Sequence, residues 1–410
     1  MAHTDDLAKN TVAVILAGGN GTRLDPLTRR TCKPALPFGG GFRSIDFSLS
    51  NCRNSGIPVV GVPTQYKPDA LLQHLASVWS GTATANEPLV TPWRAEERAP
   101  GRGYGGTADA VWRNLPLIEA LGHKLVLILA GDHVYQMDYR PMLEQHRARS
   151  AAVTIGCVEV APEEARHFGI VSLGADDRIA RFIEKPRTRA ELPDGGRGVV
   201  LASMGIYVFD AEFLARVLRM DAATAESRHD FGADILPRLI RNAKAVAYRL
   251  RSEHGRPAYW RDIGTLGAYW RAHMELLGPS AGFRIDDPAW PLYASTPVHS
   301  IDSRSATAQG GSIETSLVAG DCSVAGSVQR SVLFRGVEVG RNTAVADAVI
   351  LPGAVIGAGC RLRGVIVDSG HRVADGTVLD ATNAHAAGTT PFEPIVLAAD
   401  DSGRAQALGR

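Results

Sequence analysis

TVAVILAGGNGTRLDPLTRRTCKPAL, residues 11–36, begins with a short apolar run and passes directly into glycine. The run from Val12 to Leu16 is β-branched and tightly bounded, which predicts a buried parallel strand. Gly18, Gly19 and Gly21 let the following backbone turn and approach a ligand closely, because no Cβ stands in the way. Arg23 comes two residues after Gly21, and Lys33 ten residues after Arg23. A loop of free N–H groups with an arginine and a lysine nearby suits a polyphosphate. A tight turn with incidental cations is the plainer alternative. Two other glycine loops are excluded. Gly21 is followed by Thr22-Arg23, not by the Lys-Ser/Thr that ends a Walker A loop, and Leu24 stands where a dinucleotide fingerprint needs its third glycine.

The chain has 410 residues, 45% of them hydrophobic, which is enough for two packed domains. Its 44 Lys and Arg nearly balance its 43 Asp and Glu, so no basic field exists to attract nucleic acid or an anionic membrane. Cys32, Cys52, Cys157, Cys322 and Cys360 are scattered and form no CxxC pair. They point to a reduced cytoplasmic protein without a cysteine metal site. The polar start MAHTDDLAKN lacks an apolar signal core, and no apolar run is long enough to cross a bilayer.

From Val12 to about Leu277, apolar runs alternate with amphipathic stretches, as in an α/β domain on a mostly parallel sheet. The runs include Val59 to Val62, Leu125 to Leu129, Ala152 to Ile155 and Gly205 to Phe209. Helices are expected at 69–78, 108–121 and 139–149, and a long ligand-contacting loop at 81–106. Residues 279–312 are Pro-rich and aperiodic and read as a linker. Beyond them apolar residues recur every sixth position: Leu333, Val339, Val345; Ile350, Ile356, Leu362; Val367, Val373, Leu379. Glycines recur beside them. That is the pattern of hexapeptide coils stacked as a parallel β-helix, with a small antiparallel β domain as the alternative. The final segment, rich in Ala, Gly and Thr, is expected to fray at its end.

LAGGNGTRL, KPALPFGG, FRSIDFSLSNCRNSG and TQY together resemble the sugar-1-phosphate nucleotidyltransferases, most closely the glucose-1-phosphate adenylyltransferases. The resemblance runs from about Val12 to Leu379. It implies a doubly wound α/β nucleotidyltransferase domain at 1–278, a linker at 279–312, a left-handed parallel β-helix at 313–380 and a tail at 381–410. It also implies a homo-oligomer, a dimer or tetramer, and Mg²⁺ as cofactor. The reaction implied is attack of a sugar-1-phosphate oxygen on the α-phosphorus of a nucleoside triphosphate, with release of pyrophosphate.

The residues matching the family's nucleotide site are Leu16, Ala17, Gly18, Gly19, Gly21 and Thr22, with Tyr104, Gly106 and Thr107 on a second loop. Thr107 is also placed to cap a helix beginning near Ala108. Arg23 and Lys33 match the catalytic cations. Asp132 follows the run Leu125–Leu129 at the carboxyl end of a strand, where open α/β sheets bind ligands. With Asp262 it matches the pair of acids that hold Mg²⁺, a cation that takes few carboxylates and completes its shell with phosphate oxygen and water. A helix cap or a surface ion pair is the alternative for either acid. Phe182-Ile183-Glu184-Lys185-Pro186 resembles the sugar-phosphate motif, with Lys185 on the phosphate and Glu184 on ring hydroxyls. Gly169 and Ser203 match further parts of the hexose pocket.

Several residues depart from the adenylyltransferase pattern. A Pro-Ala-Gln-Gln-Arg stretch that meets adenine reads Arg94-Ala95-Glu96-Glu97-Arg98 here. A carboxylate only accepts hydrogen bonds, and guanine offers two adjacent donors, so a buried Glu96 or Glu97 would favour GTP over ATP. Solvated loop charges are the alternative reading of both acids. The usual Tyr-Arg-Gly-Thr reads Tyr104-Gly105-Gly106-Thr107, and lysines linked to activator binding are replaced by Arg29 and Gly41. These departures resemble the valienol-1-phosphate guanylyltransferases. The leading expectation is therefore GTP plus valienol 1-phosphate giving GDP-valienol in aminocyclitol antibiotic biosynthesis. ATP plus glucose 1-phosphate giving ADP-glucose is the runner-up, and a catalytically silent regulatory subunit is the alternative of another class.

Overall fold

The computed structural model describes residues 2–80, 87–196, 198–251, 258–278, 284–293, 311–382, 392–399 and 405–408. The chain forms two compact units, residues 1–19, 48–131 and 135–260 in the first, and 20–47, 132–134 and 261–410 in the second.

The first unit is built on a sheet with nine strands among the described residues. They are β1 (Thr11–Leu16), β2 (Val59–Thr64), β3 (Leu89–Arg94), β4 (Leu125–Ala130), β5 (Val153–Val160), β6 (Gly169–Leu173), β7 (Ile179–Glu184), β8 (Val200–Asp210) and β9 (Ala245–Arg249). Their spatial order is β7-β6-β8-β4-β1-β2-β3, with β5 bonded to both β8 and β9. β1 lies between parallel β4 and β2, and β3 continues that parallel half. This is the buried core that the apolar runs predict. Val12, Ala13, Val14 and Ile15 are wholly buried, and burying each valine or isoleucine side chain contributes about 1.5–3 kcal/mol. Beyond β4 the sheet becomes mixed, because β8 runs antiparallel to β4, β5 and β6, and β7 antiparallel to β6.

The helices that matter below are α1 (Ser44–Asn54), α2 (Asp69–Val78), α3 (Thr107–Arg113), α4 (Leu115–Ala120), α5 (Arg140–Ala148), α6 (Ala211–Ala222) and α7 (Leu266–Leu276). The single helix expected across 108–121 breaks at Asn114. Pro116 lies in the first turn of α4, and a proline has no N–H to continue the ladder of α3. The expected loop at 81–106 is also corrected, with 81–86 outside the described residues. Residues 89–94 form β3 and 95–98 a helical turn. Pro92 hid the strand, but an edge strand tolerates a missing donor.

In the second unit, residues 312–380 coil as a β-helix with three parallel sheets. Val328 pairs with Val345, Val345 with Leu362 and Leu362 with Leu379, so these coils are seventeen residues long, whereas the first, from Ile313 to its partner Val328, is two residues shorter. Two sextets and a quintet fill one coil, which is why the six-residue pattern restarts at Ile350 and Val367. The inward residues form one apolar core that includes Val324, Leu333, Val339, Val345, Ile350, Ile356, Leu362 and Val367. Part of the final segment extends the β-helix, while 409–410, at the end that is expected to fray, lie outside the described residues. Ile395–Ala399 pairs parallel with Val365–Val367, and Ala405–Leu408 pairs antiparallel with 396–399. Burial of Val396 and Leu397 holds that strand. Of the expected linker, 284–293 carries neither strand nor helix, and 279–283 and 294–310 lie outside the described residues. No described helix is long and apolar enough to cross a membrane.

Candidate active site

Within the second unit, Lys33 opens a tight turn, Lys33–Ala35, and is buried. Its Nζ lies 2.7 Å from Asp132 Oδ2 and 2.8 Å from Asp262 Oδ1. Asp132 follows the end of β4, and Asp262 ends a short strand, Trp260–Asp262, that pairs with His133–Tyr135. Burial tends to raise the Asp132 carboxyl, but the Lys33 ammonium, with His133 beside it, holds it well below the usual range. Burial tends to lower Lys33, yet the Asp132 and Asp262 carboxylates raise it, so Lys33 and Asp132 are both favoured in charged form. Asp132, His133 and Asp262 bring ligand atoms within 4.8 Å of one another, with His133 Nε2 3.5 Å from Asp132 Oδ1. The two carboxylates are hard oxygen donors, the kind that Mg²⁺ takes.

Arg23 belongs to the same cluster. A Cβ at Gly264 would stand 2.9 Å from Asp262 Oδ1 and 3.0 Å from Arg23 Nη2, so only glycine leaves both groups their positions. Gly21 has a left-handed φ of 61°, and its carbonyl accepts from Leu24 N and Thr28 Oγ1, both at 2.9 Å. That bend leaves Thr22 and Arg23 exposed at the tip.

In the first unit, Leu16 and Ala17 leave β1 and the chain surfaces at Gly18 and Gly19. Gln65, which sequence reasoning left without a role, joins this loop to the Tyr104 loop. Its Nε2 donates to Gly18 O at 3.2 Å and its Oε1 accepts from Tyr104 N at 2.7 Å. Tyr104 takes part through its backbone, because its ring is buried and its hydroxyl is held by Trp93 O and Asn114. Thr107 does not cap α3, whose N-cap is Gly106. Its hydroxyl instead donates to Asp230 at 2.9 Å and accepts from Phe231 N at 3.0 Å. The helix's first amides find His229 O. Glu96 and Glu97 sit on the helical turn 95–98 and are both exposed.

On the other side of that unit, Gly169 opens β6 opposite Glu184 at the end of β7. Lys185 turns out of the strand with a φ of 48° and donates its N–H to Phe168 O at 3.0 Å. Its exposed ammonium lies 3.2 Å from Glu184 Oε1. Burial pushes the Glu184 carboxyl up, and Lys185 works against that. Ser203 is buried at a bulge in β8, where the register with β5 shifts before Ile206.

Residues 12–278 match the family model described as nucleotidyl transferase, and 300–389 match the GlmU-like C-terminal hexapeptide model. The chain is 45% identical to the glucose-1-phosphate adenylyltransferase 2 of Alkalilimnicola ehrlichii, across 91% of this chain and 89% of that one. It is 43% identical to the glucose-1-phosphate adenylyltransferases of Methylococcus capsulatus and Rhizobium meliloti, across 91% and 92% of this chain and 89% and 91% of theirs. The chain belongs to the glucose-1-phosphate adenylyltransferase family. Membership makes it an enzyme of the sugar-phosphate nucleotidyltransferase class, with the nucleotidyltransferase region followed by hexapeptide coils. All three of these family members are named for adenylyl transfer, which favours the runner-up expectation over GTP and valienol 1-phosphate.

Proposed function

We propose that this chain transfers the adenylyl group of ATP to glucose 1-phosphate, giving ADP-glucose and pyrophosphate. The observation that carries this reading is the buried Lys33 ammonium between Asp132 and Asp262, with Arg23 beside them. A phosphate oxygen of glucose 1-phosphate forms the new bond to the α-phosphorus, and the bond to the pyrophosphate oxygen breaks. That nucleophile is anionic at neutral pH, so no protein base is needed and catalysis rests on alignment and charge. Residues Leu16 to Thr22 bind the nucleotide, with backbone N–H groups turned to its phosphates. Arg23 and Lys33 neutralise the charge that develops there. Lys185 takes the sugar phosphate, Glu184 accepts from ring hydroxyls, and Gly169 and Ser203 shape the pocket. Asp132 and Asp262 would hold Mg²⁺, which supplies further positive charge to the phosphates. The catalytic region is assigned to residues 1–278, and homo-oligomer assembly to the β-helix at 313–380.

The GTP and valienol 1-phosphate reading depended on a buried glutamate against the base. Glu96 and Glu97 are exposed, and a carboxylate in water discriminates poorly between bases. The test is pyrophosphate release with ATP or GTP, each combined with glucose 1-phosphate or valienol 1-phosphate. ATP with glucose 1-phosphate should lead in specificity constant by about tenfold or more. A lead for GTP with valienol 1-phosphate overturns the assignment.

A further inference from the structure

The last turn of α6 and the segment following it carry a cluster around the buried Asp221 to which the mechanism above gives no part. The Asp221 carboxylate accepts from Ser227 Oγ at 2.7 Å and from His229 Nδ1 at 2.8 Å, with Arg238 Nη1 at 3.6 Å. Its side chain is only 4% exposed, so these partners replace water around a buried charge. The imidazole nitrogen facing a carboxylate must carry the proton, which fixes the tautomer. His229 N also donates to Ser227 Oγ at 3.0 Å.

His229 has a φ of 56°, in the left-handed region that residues with a Cβ rarely adopt. The turn presents its carbonyl to the start of α3, where it accepts from Ala108 N at 2.8 Å and Asp109 N at 3.3 Å. The fit is close enough that a Cβ at Gly106 would run into the carbonyls of Arg228 and His229. Asp230 then accepts from Thr107 Oγ1 at 2.9 Å and from Ala233 N at 2.9 Å. Two residues on, Gly232 lies so near Glu184 that a Cβ would stand 2.6 Å from Oε2. Residues 227–232 thus touch both the Gly106–Thr107 turn and the Glu184 carboxylate, and their left-handed turn is tied down at Asp221.

We infer that Asp221 and His229 are a positioning pair, and that their hydrogen bond holds the 227–232 loop so that the nucleotide-side turn and the sugar-side carboxylate are set by one tether. The inference rests on the functional reading above for what those two sides bind. Neither residue is assigned contact with substrate. The bond to Asp221 offsets part of the cost of the left-handed turn, and the histidine N–H joins the Ser227 hydroxyl in satisfying the buried carboxylate.

Three variants separate the tether from the backbone turn. Asparagine tolerates the left-handed region and can offer its amide N–H to Asp221, so His229→Asn should behave as the parent. His229→Gly eases the turn but removes the tether, and His229→Ala removes the tether and strains the turn. The first readout is hydrogen exchange in the unliganded protein. Peptides covering 105–113 and 230–235 should lose protection in His229→Gly and His229→Ala, and keep it in His229→Asn. The second is steady-state kinetics below the melting transition. His229→Gly should raise KM for both ATP and glucose 1-phosphate by roughly threefold to tenfold, with kcat less affected. Parent-like exchange and constants in His229→Gly overturn the inference, as does a rise in only one KM. Absence of nucleotidyl transfer by the parent protein sinks the functional reading instead, while the exchange arm still decides the tether.

Discussion

The Lys33 ammonium stands 2.7 Å from the Asp132 carboxylate while also meeting Asp262. One buried cation therefore meets two carboxylates at once, and it holds Asp132 well below the usual carboxylate range. Removing one carboxylate leaves Lys33 paired with the other, so the fold should survive. Asp132→Asn keeps the side-chain shape but cannot supply negative charge to a metal. Turnover should fall by about two powers of ten or more with the melting temperature nearly unchanged. Near-parental turnover in a folded Asp132→Asn protein would remove Asp132 from the metal site.

Lys185 is exposed at the end of β7, and among the described residues Glu184 is the ion-pair partner of its ammonium. An exposed ion pair of this kind contributes little to stability, so Lys185→Ala should fold normally. Its loss should raise KM for glucose 1-phosphate by roughly tenfold or more, the worth of one charge-assisted contact, and leave KM for ATP close to the parent value. If the ATP constant rises instead, Lys185 serves the nucleotide and the sugar-side assignment is wrong.

Gln65 uses both ends of its amide, one as donor to Gly18 O and the other as acceptor from Tyr104 N. A glutamate there keeps the acceptor but turns a second oxygen toward the Gly18 carbonyl. Gln65→Glu should therefore loosen the glycine loop despite its nearly identical shape, and raise KM for ATP by roughly fivefold. Gln65→Ala should do the same. Parent-like nucleotide binding in both variants would show that the bridge is dispensable.

Local patterns were legible in the sequence and long-range pairings were not. The run Val12–Leu16 and the sextets from Leu333 onward carry their burial in residue type and spacing. The seventeen-residue coil is visible only once Val345 is seen against Leu362. The two ends of the Lys33–Asp262 bond lie 229 positions apart. A family resemblance named both residues, but residue type and spacing gave no hint that they touch. Thr107 was misread for the same reason. A hydroxyl at a helix start ordinarily caps it, but here the partner is Asp230, 123 positions away. The antiparallel half of the sheet escaped because a strand buried on both faces looks the same whichever way its neighbour runs.

The last prediction concerns two histidines buried away from the candidate site. His146 bonds Thr154 Oγ1 through Nδ1 at 2.9 Å, and its Nε2 has no partner among the described residues. His273 donates from Nδ1 to Tyr269 O at 2.8 Å and accepts Gly39 N–H at Nε2 at 3.2 Å. Protonating His273 would break that second bond. Burial lowers both imidazoles to about 4, only partly opposed by Asp210 at His146 and by the Tyr269 carbonyl at His273. The folded value therefore lies below the unfolded value of about 6.5. Between those two values the unfolded chain binds more protons, so stability rises with pH. The contribution is complete above about pH 6.5 and is lost as pH falls toward 4. At pH 5 each histidine should cost on the order of 2 kcal/mol relative to neutral pH. Urea midpoints measured at pH 7.5 and pH 5 read this directly. In His146→Gln the amide can still meet Thr154 but cannot titrate, so the drop between the two pH values should shrink by that amount. An unchanged drop in His146→Gln would mean that His146 takes up its proton in the folded protein as readily as in the unfolded chain.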